Sequence, residues 1–338
     1  MLGSFLDKAT SLLDKGFILA YWFPVFIAAS IAVLIRAWVY GWKASLELWQ
    51  QNWTAKAQEG AQVSASSELS VQIIVLVGAL ILVAVLAYML LPFTRSVVRF
   101  YEGYWPLGLQ SWFTNLPLLG EKTIWQKMSD ECDQAELDKN WQVYNHLYVQ
   151  LFHSFPSKAD RLMPMRLGNT LRASEDYSKA AYGDGMDCVF WWPRMWPLMP
   201  DAVQKEIDES VTPMVALLNF SSLIVLVCVV GSVYLYHETL WRESLLVLLA
   251  GLALAWLSYR SAVAQAWDYG ERIRSAVDLY RFDLLKALCQ PLPATLDDEI
   301  KLWMKLFLWL YTNNRGAVAD MRYDVKSEPD KANRDVED

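Results

Sequence analysis

Signatures of catalysis are scarce in this sequence. It has no GxSxG, no Walker-type glycine-rich loop and no HExxH. Only three histidines occur, His146, His153 and His237. His146 and His153 stand about two turns apart on a predicted helix, whereas zinc ligands on a helix favour four-residue spacing with an added carboxylate. No metal centre is expected. The four cysteines, Cys132, Cys188, Cys228 and Cys289, are scattered without CxxC spacing. They read as inert thiols rather than a disulfide framework. A net charge of −7 argues against nucleic-acid binding. Asp7 and Asp14, followed by a long apolar run, do not fit a cleaved signal peptide. The sequence therefore predicts no enzyme and no cofactor.

Charge itself is missing between Ser70 and Arg95. A helix over Val71 to Pro92 within that run is about 33 Å long, enough to cross a hydrocarbon core of about 30 Å. A soluble helix would need a polar face there. Three further apolar runs complete the pattern: Phe17 to Tyr40, Pro213 to Tyr236 and Ser244 to Ala264. The expected fold is an all-α integral membrane protein with four transmembrane helices in a 2+2 layout. A helical cytoplasmic domain would be built from the central and C-terminal segments. Seventeen Trp and sixteen Tyr suit a chain that crosses two membrane–water boundaries. The loop 41–70 carries only Lys43 and Lys56, while Lys8, Lys15, Arg95, Arg99, Lys205 and Arg260 flank the opposite helix ends. This bias puts both termini and the central segment in the cytoplasm of a cell with this protein in its inner (plasma) membrane.

The segments divide as an amphipathic start (1–16), the first helix pair (17–92, outer loop 41–70) and a cytoplasmic segment (93–212). The second pair (213–264), a stalk with a final helix (265–315) and a charged, disordered tail (316–338) follow. The periodicity of Trp141, Tyr144, Leu147, Tyr148 and Leu151 predicts one helix over Trp125 to Phe155. Pro213 reads as a first helical residue. Trp191 to Pro200, with three prolines, reads as irregular chain that sets Trp rings at headgroup level. From Ser258 to Leu288 no proline occurs, so the fourth span should continue as one helix of about 70 Å from Trp241. Thr295 should cap the last helix ahead of Asp297, Asp298 and Glu299.

Two residue groups are candidates for function. Asn219 and Ser222 share a face of the third span and could line a pore, or hydrogen-bond between helices. Arg166, Arg172, Glu175 and Asp176 could form a ligand site or a salt-bridge cluster. No acid or base lies within the spans' central turns, which argues against a proton-coupled transporter.

The stretch Arg166-Leu-Gly-Asn-Thr-Leu-Arg172, Ser174-Glu-Asp-Tyr177 and Trp192-Pro-Arg-Met-Trp-Pro-Leu-Met-Pro200 resembles a pattern of uncharacterised bacterial multipass membrane proteins, LGNxLRAxEDY…WPRxWPLxP. The resemblance covers about forty residues and implies a bacterial inner membrane without implying an activity. The 2+2 layout is similar to that of bestrophin-type channels in topology alone. Two functions follow as expectations. One is an oligomeric channel that passes ions passively under a cytoplasmic regulatory domain, with several copies around an axis. The other is a non-enzymatic membrane anchor, sensor or adaptor that binds a cytoplasmic protein. Lipid, further copies of the chain and that protein are the expected partners.

Overall fold

The computed structural model describes residues 15–41, 44, 47, 50–51, 68–105, 109–114, 120–314 and 316. The expected amphipathic start, most of the outer loop 41–70, the turn at 115–119 and the tail lie outside them. The described residues are helical and include no strand. Among the described residues four helices are long and apolar enough to cross a membrane: Lys15–Val39, Ile73–Glu102, Asp201–His237 and Trp241–Ala287.

The chain forms two compact units. Unit 1 comprises Met1–Gln110 and Glu209–Ala266, and unit 2 comprises Ser111–Asp208 and Trp267–Asp338. In unit 1, α1 is composite: an α-turn Lys15–Phe17, a π-helical segment Ile18–Trp22 and an α-helix Phe23–Tyr40. Pro24 accounts for the irregularity, because it has no N–H for the carbonyl four residues back, that of Ala20. The side chain of Asn219 supplies a donor instead, with Nδ2 at 2.8 Å from the Ala20 oxygen. Helix α2 (Glu68–Leu90) passes through a 3₁₀ turn at Leu91–Phe93 into α3 (Thr94–Glu102). After the short α4 (Leu109–Thr114), unit 2 opens with α5 (Glu121–Leu137) and α6 (Trp141–Ser154). It continues through α7 (Arg166–Tyr182) and α8 (Cys188–Met195). The long helices α9 (Asp201–His237) and α10 (Trp241–Ala287) contribute residues to both units. The final helix is α11 (Leu296–Thr312).

Small residues join α9 to α10 in unit 1. A Cβ on Gly251 would fall 2.4 Å from Cys228. Ser221 donates to the Ala255 carbonyl at 3.0 Å, Ser258 to the Leu217 carbonyl at 2.8 Å, and Ser232 and Ser244 share a bond of 2.9 Å. Such seams let backbones approach closely where lipid gives helices no hydrophobic reason to associate.

Three local expectations are corrected. The helix predicted over Trp125 to Phe155 is two helices. Lys139 adopts a left-handed φ of 52°, and Asn140 caps α6 by accepting from the Val143 N–H. Pro213 is inside α9 rather than at its start. The proline-rich Trp191 to Pro200 is largely helical: α8 carries Pro193, and Pro197 enters a 3₁₀ turn at Trp196–Leu198. Its Trp191 is fully buried in unit 2, against Trp303 of α11 at 5.3 Å between rings, and donates to the Gly185 carbonyl at 2.8 Å. Apolar burial, not a headgroup layer, holds that ring.

The core of unit 2 gathers Met186, Trp191, Met195, Val277, Leu284, Leu285, Trp303 and Leu306. Thr295 caps α11 by accepting from the Asp298 N–H at 3.2 Å. Glu299 does more than favour the helix dipole. It is buried and accepts from Arg281 at 2.9 Å and from the Trp303 indole at 3.1 Å.

Candidate functional site

Two members of the sequence-predicted polar cluster, Arg172 and Asp176, meet at Arg161, whereas Arg166 pairs with Glu121. Arg166 pairs with Glu121 at 2.8 Å and lies 4.3 Å over the Phe155 ring. Arg172 donates to the Arg161 carbonyl at 2.5 Å. Asp176 faces Arg161 at 2.8 Å. Glu175 lies on a different side of α7, where its charge acts on the Cys188 thiol. The motif around them is architectural. Asn169 is fully buried, accepts from the Met163 N–H at 2.6 Å and donates to the Met163 carbonyl at 3.0 Å. It thereby closes the extended segment ahead of α7 in both directions. Ser178 donates to the Met186 carbonyl at 2.6 Å and accepts from the Cys188 N–H at 3.0 Å, which ties down the loop ahead of α8.

In unit 1, Asn219 is spent on the Ala20 carbonyl. Ser222 donates back to the Leu218 carbonyl at 3.0 Å and lies 3.4 Å from the Tyr101 hydroxyl. Tyr101 donates to Ser221 at 2.9 Å and stacks on Tyr259. Both pore candidates are therefore bonded inside the helix bundle of a single chain.

Sequence reasoning missed a polar stripe on α10. Glu271, Arg274, Asp278 and Arg281 recur at three- and four-residue steps, so they share one helix face. Arg274 is 4% exposed. It donates to Glu271 and to the Phe152 carbonyl, both at 2.8 Å, and stacks over the Phe152 ring at 4.1 Å. Asp278 accepts from Tyr177 at 2.9 Å and from Tyr182 at 2.7 Å. Burial, then that carboxylate, holds both phenols above the ordinary tyrosine range. His153 stacks on Trp267, with Nδ1 2.9 Å from Arg274 and 3.1 Å from Glu271. Burial, then Arg274, pushes its pKa down against the pull of Glu271. A neutral ring accepting from the guanidinium satisfies this geometry.

Helices α5, α6 and α7 enclose a half-open cavity of about 370 Å³. Trp125, Cys132, Asp133 and Glu136 line it from α5. Tyr144, Tyr148, Leu151 and Phe152 line it from α6, and Ala173, Asp176 and Tyr177 from α7. Along α6 the rings of Tyr144, Tyr148 and Phe152 stack at 5.8 and 6.1 Å, nearly parallel. Four-residue spacing puts them on one helix face. Asp176 is 4% exposed. Its contact with Arg161 is close, yet neither carboxylate oxygen accepts a well-aligned hydrogen bond. Burial raises its pKa above the usual carboxylate value, against Arg161, Lys179 and Arg172. A buried carboxylate held at net electrostatic cost in a cavity wall marks a functional-site candidate. Among the described residues no three His, Cys, Asp or Glu are grouped to hold a metal ion.

No protein-family model, curated protein or solved structure matches the chain. The site's chemistry therefore rests on its own geometry.

Proposed function

We propose that the chain is a non-enzymatic membrane-anchored sensor. Its four helices lie in an inner (plasma) membrane in a 2+2 layout, and unit 2 faces the cytoplasm with both termini. Unit 2 holds the ligand site, in the α5–α6–α7 cavity. One observation supports this reading over a channel: most of the polar side chains described between α1, α9 and α10 are committed to neighbouring helices. Asn219, Ser221, Ser258 and the Ser232–Ser244 pair each bond a backbone carbonyl or one another. A water-filled path lined by these side chains would turn them toward water instead. The cavity of unit 2, in contrast, keeps exposed carboxylates and rings.

A channel would instead place several copies around an axis. Vesicles reconstituted with the purified chain separate the two readings. The sensor reading predicts ion efflux at the rate of empty vesicles and no unitary currents in planar bilayers. Reproducible unitary currents that vanish on substituting Asn219 or Ser222 would overturn it. Affinity purification from nanodiscs then identifies the cytoplasmic protein that receives the signal.

A further inference from the structure

The walls of the α5–α6–α7 cavity carry charge of one sign. Asp133 and Glu136 are exposed about one turn apart on α5, and Asp176 is buried on α7. No Lys, Arg or His is among the described residues that line the cavity, and Arg161 backs Asp176 at 2.8 Å. Neither Asp133 nor Glu136 makes an ion pair among the described residues. The rest of the wall is largely aromatic. The protein's own Arg274 already lies over Phe152, with Tyr177 5.5 Å from the guanidinium. The next rings along the ladder, Tyr148 and Tyr144, carry no protein cation among the described residues.

Building on the sensor reading, we propose that this cavity binds an organic cation, an ammonium or guanidinium head on a short apolar body. The head would face Asp133 and Glu136 across the Tyr144–Tyr148 rings, and the body would lie against Leu151 and Trp125. Aromatic faces and carboxylates both attract a cation, and each attraction strengthens as water is excluded. A cavity of about 370 Å³ falls within the range of small-molecule sites. A bare divalent metal ion is a poor fit, since it needs a tight shell of oxygen ligands that this wall does not assemble. An anion meets Asp133 and Glu136, which no cation offsets, and no basic residue among the described lining residues. The Cys132 thiol experiences the same field: burial, then Asp133 and Glu136, pushes its pKa up.

Three probes sharing one phenethyl body test the proposal by calorimetry on the full chain in nanodiscs. These are phenethylammonium, 2-phenylethanol and 3-phenylpropionate. Phenethylammonium alone should bind, and more weakly as salt rises. The double variant Asp133→Asn/Glu136→Gln alters exposed side chains that the fold does not use, and it should weaken binding about tenfold or more. Tyr148→Leu should also weaken it, severalfold. If the alcohol or the carboxylate binds equally well and Tyr148→Leu weakens it, the cation proposal fails while the sensor reading stands. Binding of phenethylammonium that is unchanged in both variants lies elsewhere and overturns the proposal. Silence from all three probes also overturns it, and the vesicle currents then decide the sensor reading separately.

Discussion

At the residue scale, the buried charges of unit 2 fall into two kinds. Arg274, Arg281 and Glu299 are surrounded by partners and hold helices together. Asp176 differs in that neither carboxylate oxygen accepts a well-aligned hydrogen bond, and, as for Arg274, burial outweighs what its charged neighbours (Arg161, Lys179 and Arg172) return to it. Such a carboxylate lowers stability when ionised. Asp176→Asn keeps an oxygen toward Arg161 and should raise the melting temperature by a few degrees near neutral pH. The sign with pH follows from the raised folded pKa. As pH falls, the native carboxyl takes up its proton before the unfolded one does, so the wild type gains on the variant and the difference shrinks. Thermal unfolding of both proteins from neutral pH to about pH 4.5 checks this. A variant less stable than the wild type at neutral pH would show that Asp176 is there for stability. The sequence made Asp176 a candidate together with Arg166, Arg172 and Glu175. It could not separate them, because their partners Glu121 and Arg161 and the side of α7 each occupies are set by the fold.

At the element scale, the motif LGNTLRASEDYS is read best as a helix that fastens two loops. Its Asn169 and Ser178 bind backbone on both sides of α7. The loop between α7 and α8 then runs against α11. A Cβ on Gly185 would fall 2.3 Å from the backbone nitrogen of Met304. No side chain can swing away from that contact, so Gly185→Ala must push α11 from the core that Trp303 and Leu306 fill. Overpacking of this kind costs about 1–3 kcal/mol. The melting temperature of unit 2 should fall clearly, whereas alanine at Gly78, which has open space around it, should leave it unchanged. Element types were largely legible. The charge-free runs identify the apolar helices, and the lack of proline predicts the unbroken α10. The break at Lys139 was not, because the apolar period of α6 gives no sign of the left-handed residue that precedes it. The role of Trp191 was hidden for a related reason. A ring beside two prolines suggests a loop at an interface, and only contact with α11 shows it to be core.

At the scale of the whole molecule, four long apolar helices make this a chain built for a membrane. Its sidedness can be tested on the unaltered protein. Cys132, Cys188 and Cys228 are buried, and Cys289 is exposed just past the end of α10. With unit 2 in the cytoplasm, as proposed, a membrane-impermeant maleimide should modify Cys289 in inverted vesicles and leave intact spheroplasts unlabelled. The reverse pattern would put unit 2 outside the cell. The Asn219–Ala20 bond also bears on how the molecule is made. Its two partners are separated by 199 positions. The first apolar segment thus leaves the ribosome with a carbonyl that Pro24 has deprived of its usual donor, and hydrocarbon offers no substitute. The donor that completes the first helix is supplied by a residue of the third, made only after most of unit 1 has been synthesised.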